Sequence, residues 1–72
     1  MRPLKAIVKS VFRKVGIKIK LESGLVCLLL TSKHYYVGED IIVTYDFTRN
    51  KVVKIINSFD EEDIPESYTE ID

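Results

Sequence analysis

Two sets of side chains in this chain have the chemistry to hold a polyanion. Lys5, Lys9 and Arg13 recur every fourth residue, and Lys18 and Lys20 every second. On two neighbouring extended strands each set falls on one face. Five cations in such a stripe can track a phosphate backbone. The second set is Lys33-His34-Tyr35-Tyr36. Aromatic rings in a loop can each stack a base for ~1–3 kcal/mol, with a lysine beside them on the phosphate. Each set has a plainer reading. Lysines on a small sheet also serve as a solvated face that discourages edge aggregation. Of two adjacent tyrosines, one often caps the core while the other is merely exposed.

Charge is sorted along the chain, and this makes the cations unusual. Residues 1–20 carry seven bases (Arg2, Lys5, Lys9, Arg13, Lys14, Lys18, Lys20) and no acid. Residues 60–72 carry seven acids (Asp60, Glu61, Glu62, Asp63, Glu66, Glu70, Asp72) and no base. A formal net charge of zero therefore hides two opposed ends, an asymmetry that points to binding. Consecutive acids without a glycine do not suit a cation loop, so residues 60–72 are expected to form an acidic, mobile tail. Tethered beside the basic face at ~mM effective concentration, that tail is positioned to compete with nucleic acid or to dock on a second copy. Ile64, Tyr68 and Ile71 would anchor it.

The chain lacks the parts of a catalytic site. His34 is the only histidine, no glycine-rich phosphate loop is present, and no acid pair has motif spacing. A non-enzymatic protein without cofactor or metal is expected. The single Cys27, set in the apolar run Leu25–Leu30, reads as a core thiol, which fits a reducing, cytoplasmic setting. That run is far shorter than the ~20 residues of a membrane helix, and the basic start lacks the apolar stretch of a signal peptide. No membrane association is expected.

Seventy-two residues make one small domain. Ile17, Ile19 and Leu21 alternate with Lys18, Lys20 and Glu22, a strand with one face in the core. Ser23-Gly24 turns into an apolar strand through Thr31. Ser32–Asp40 is a connection in which Gly38 supplies an unusual backbone angle. Ile41–Tyr45 and Lys51–Ile56 form a hairpin across Asp46–Asn50. Residues 4–15 fit two patterns. Leu4, Ile7, Val8, Val11, Phe12 and Val15 make an apolar helical stripe. The β-branched content and the need to close a sheet favour a strand. The expectation is an all-β, five-stranded barrel over residues 1–59 with an acidic tail over 60–72. The alternative is an N-terminal amphipathic helix on a four-stranded antiparallel sheet.

Several stretches carry a family likeness: Ala6-Ile7-Val8-Lys9-Ser10-Val11, Gly16-Ile17-Lys18-Ile19, Gly24-Leu25-Val26, Val37-Gly38-Glu39-Asp40-Ile41-Ile42-Val43, and Tyr45-Asp46 followed by Asn50-Lys51-Val52-Val53. Over about residues 5–56 the chain resembles a small oligonucleotide-binding (OB) β-barrel, in particular the RNA-binding barrels of ribosomal and translation-initiation proteins. It departs from them where their second and third strands commonly carry stacking aromatics, since Ile17, Ile19, Val26 and Leu28 stand there. The resemblance implies nucleic-acid binding, RNA rather than DNA, and the residues expected to carry it are those of the two sets above: Lys5, Lys9, Arg13, Lys18, Lys20, Lys33, His34, Tyr35 and Tyr36. The competing expectation is an assembly subunit of phage or mobile-element type. Such a subunit would use its charge polarity to form homo-oligomers or dock its acidic tail on a basic protein partner.

Overall fold

A computed structural model describes residues 1–57 and 60–70. Seven strands form one antiparallel sheet: β1 (Arg2–Phe12), β2 (Gly16–Leu21), β3 (Val26–Leu30), β4 (Asp40–Asp46), β5 (Lys51–Ile56), β6 (Glu61–Asp63) and β7 (Ser67–Thr69). Their order is β6-β5-β4-β1-β2-β3-β7. The protein is all-β and barrel-like, and none of its described segments is a helix long and apolar enough to cross a membrane.

Residues 4–15 form no helix. β1 pairs along one edge with β2 and along the other with β4. A helix there would leave both neighbours with unpaired backbone edges, and this outweighs the helical stripe in the sequence. Leu4, Ala6 and Val8 point inward. A register shift between Val8 and Ser10 then places Lys9 at a bulge, so alternation changes phase beyond it. Ser10 now pairs with outward Lys18, and Phe12 is exposed rather than interior.

The expected five strands and acidic tail are corrected by the C-terminal segment. Glu61–Asp63 pairs with β5 and Ser67–Thr69 with β3. The segment crosses from one edge of the sheet to the other, so both edges of the curled sheet are occupied by one continuous stretch of chain. Pro65 sits at the crossover, where its missing N–H costs no ladder bond. On either side of it the ladder resumes, with Ile64 N–H donating to the Val53 carbonyl and Leu30 N–H to that of Glu66. Ile64 is buried in the common core. Residues 60–70 are therefore part of the same folded unit as the rest and do not form a separate mobile tail. Ile71, named as an anchor, lies outside the described residues.

The interior is filled by Val8, Ile17, Ile19, Cys27, Leu29, Val43, Tyr45, Val52 and Ile55, all nearly inaccessible. Each of the aliphatic side chains among them contributes ~1.5–3 kcal/mol by leaving water. Cys27 is the core thiol the sequence suggested, and burial pushes its pKa up. Gly16 is required by close approach. A Cβ there would collide with the backbone carbonyl of Leu29 on the paired strand. Gly38 takes φ 90°, and Asn50 φ 56° in the β4–β5 turn, as their residue types anticipated.

Candidate functional site

At one end of the barrel, the turn between β1 and β2 faces the connection between β3 and β4. The connection is held in place at several points. Thr31 N–H donates to the Val15 carbonyl, and Lys33 N–H to Thr31 Oγ1 at 3.1 Å. Further along, Gly38 N–H donates to the Val8 carbonyl, while Glu39 Oε1 accepts from Tyr36 N–H at 3.0 Å. Between turn and connection opens a cleft of about 500 Å³, whose walls include Phe12, Arg13, Lys14, Ser32, Lys33 and His34. Lys14 holds φ 65°, a left-handed conformation that non-glycine residues adopt at some cost.

The cleft pairs cations with exposed rings. Arg13 and Lys14 have no ion pair among the described residues. Phe12, on the cleft wall, is 47% exposed, and Tyr36, outside that wall, is 68% exposed. His34 packs edge-on to Tyr36, centroids 4.7 Å apart. Lys33 contacts the Asp60 carboxylate. That contact lowers the Asp60 pKa and raises that of Lys33.

Tyr35 is not a loop ring free to stack. It is 3% exposed and its hydroxyl donates to Glu62 Oε1 at 2.6 Å, while Thr31 donates to the other oxygen of the same carboxylate. Glu62 pairs with inward-facing Ile55, so of the acids Glu61-Glu62-Asp63 the middle one turns toward the interior. Burial first, and then the Glu62 carboxylate, push the Tyr35 pKa strongly upward.

The remaining predicted cations are dispersed. Lys18 and Lys20 project from the outer face of β2, and Lys18 is bridged to Glu70 at 3.1 Å. Lys9 is exposed at the bulge. Lys5 lies toward the other end, its backbone N–H donating to Glu22 Oε2 at 2.8 Å. The stripe Lys5–Lys9–Arg13 is thus broken, because the bulge changes the phase of β1 and Arg13 lies beyond its end. The fold brings Arg13, Lys33 and His34 together at the cleft, and Tyr36 joins them only through its ring contact with His34. It adds Phe12 and Lys14, which were not among the expected binding residues. The one sequence signal for them was the run Phe12-Arg13-Lys14 two residues before Gly16.

No family model, curated protein or solved structure matches this chain.

Proposed function

We propose that the protein binds nucleic acid, single-stranded or structured RNA in preference to DNA, at the cleft between the β1–β2 turn and the β3–β4 connection. The observation that carries this reading is that Arg13, Lys14, the exposed ring of Phe12 and His34 line one cleft, with Tyr36 stacked edge-on against His34. Guanidinium and ammonium groups hold phosphates, and accessible rings stack splayed bases. The OB-like interpretation is part of the same proposal. It is supported by a long β1 paired with both β2 and β4, and by a cleft built from loops, which such barrels use for oligonucleotides. The function is binding without catalysis, in a cytoplasmic setting that suits the buried free Cys27. Of the acidic segment's suggested inhibitory role, the part retained here is Asp60, which occupies Lys33 at the rim.

Fluorescence anisotropy of a labelled oligouridine at low and moderate salt tests the reading. With about three phosphates neutralised, log affinity should fall against log salt with a slope of roughly −2. R13E/K14E should weaken binding by more than about tenfold, and Y36A by about five- to a hundredfold. Absence of binding at low salt, or unchanged affinity of R13E/K14E, would refute it.

A further inference from the structure

The cleft between the β1–β2 turn and the β3–β4 connection is small, and its walls are tied together. Its volume of about 500 Å³ suits a site that encloses one drug-sized molecule, a class that includes a single nucleotide. Val15 N–H donates to the Phe12 carbonyl and closes the turn, while the Val15 carbonyl accepts from Thr31 N–H on the facing wall. The Thr31 hydroxyl is held in turn by Glu62 of β6. Walls braced in this way do not part to admit a longer stack of bases.

The positive charge is as limited as the volume. Arg13, Lys14 and Lys33 line the cleft, enough for about three phosphates, and Lys33 is already shared with Asp60. The connection then runs into carboxylates at both of its ends. Toward β3, exposed Glu66 is bonded through its carbonyl to Leu30, whose partner on β2 is the cleft residue Gly16. Toward β4, Glu39 accepts from Tyr36 N–H and is followed by exposed Asp40. Glu39, Asp40 and Glu66 have no ion pair among the described residues. The other cations of the basic end do not extend the site. Lys18 is bridged to Glu70, and Lys20, opposite Val26, stands at the end of β2 away from the turn. Exposed Lys9 is left as a single cation on β1. A phosphate backbone running on past the cleft would therefore meet like charge, which lowers affinity.

We infer that the cleft takes one unpaired nucleotide, bulged or overhanging, together with its neighbouring phosphates, and that the carboxylates beyond it turn a longer single strand away. This rests on the RNA reading above and narrows it. The base stacks on a ring of the cleft wall, Phe12 or His34, and Arg13 and Lys14 hold the phosphates. The footprint is accordingly shorter than the ~4–16 nucleotides that a barrel of the OB type covers. A paired base cannot reach the rings, because its faces are occupied within the duplex.

Competition against labelled oligouridine at moderate salt is the test, with unlabelled uridine oligonucleotides of increasing length and with RNA hairpins as competitors. Inhibition constants should fall by at least about tenfold from the mononucleotide to the trinucleotide. From there to the dodecanucleotide they should stay within about threefold, once corrected for the number of registers the longer chain offers. A hairpin with one bulged uridine should compete at least about tenfold better than the same hairpin without it. D40K/E66K, which puts cations beyond the cleft at two exposed positions, should bind the dodecanucleotide at least about fivefold tighter and the trinucleotide less than about twofold tighter. If that variant fails to fold, the wild-type length series and the hairpins decide. Affinity that climbs with length beyond the threefold margin, or hairpins that compete equally, would overturn the inference and leave the RNA reading standing. Absence of binding by the labelled probe itself would overturn both.

Discussion

The Ser67 hydroxyl accepts a hydrogen bond from the Val52 backbone N–H at 3.0 Å, a side chain filling the place of a ladder partner. A little further along, the Thr69 hydroxyl donates to the Asn50 carbonyl at 2.7 Å and lies 3.1 Å from that of Tyr45. β7 is paired by backbone to β3, while Ser67 reaches Val52 of β5 and Thr69 reaches the β4–β5 turn and Tyr45 of β4. Beyond the backbone bond from Ile64 to Val53, the seam of the barrel on this side is therefore closed by side-chain hydroxyls.

This seam sets the first prediction. S67A leaves the Val52 N–H without its acceptor in a partly buried position and should destabilise the protein by about 1–3 kcal/mol. In a domain this small that lowers Tm by about 4–8 °C per kcal/mol, measurable by thermal denaturation. Removal of residues 60–72 should go further and abolish cooperative unfolding, because the edges of β3 and β5 both lose their partner. A truncated chain that melts like the full one would restore the mobile-tail picture.

Gly16 admits no side chain. G16A should push the β2 backbone away from Leu29 at the point where β1, β2 and β3 are in register, costing about 1–3 kcal/mol or more. Chemical denaturation of the variant, compared with an alanine placed at exposed Ser23 as a control, measures it.

Tyr35 predicts an alkaline limit to stability. Its pKa is raised in the fold, so the unfolded chain, ionising near 10, is the first to release the proton. The stabilisation is complete below about pH 10 and declines as pH rises further. Y35F should be less stable at neutral pH by about 1 kcal/mol, having lost its bond to Glu62. It should also show a shallower loss of stability than wild type between pH 10 and 12. Parallel slopes in urea titrations at those pH values would contradict the assignment.

Asp60 restrains Lys33 at the edge of the cleft. D60N keeps an acceptor for the Glu61 N–H and removes the charge, so affinity for oligouridine should rise about two- to fivefold at low salt and converge with wild type at high salt. Anisotropy titrations at two ionic strengths distinguish this from a change in folding.

Much of the fold was legible because period-two alternation is local. Ile17, Ile19 and Leu21 turn inward as their spacing requires, and Gly38 and Asn50 take the positive φ values their residue types allow. The closing strands were not legible in this way. Glu61–Asp63 has the composition of a solvated run, and nothing within the segment reveals that the edges of β3 and β5 need a partner. The candidate site was legible in its ingredients and not in its assembly. Lys33, His34 and Tyr36 were found as a sequence cluster, whereas Tyr35 went inward because Glu62, 27 residues away, offers its hydroxyl an acceptor.

By itself the sequence determined the all-β character, the inward set of β2 and the separation of basic from acidic ends, since each follows from residue type and spacing along a few neighbours. Only the tertiary structure decided what that separation is for within the fold. The acidic end closes the sheet, placing Glu70 on Lys18 and Asp60 on Lys33. A single bulge at Lys9 then determines which cations converge on the cleft, because one extra residue changes the face of everything after it.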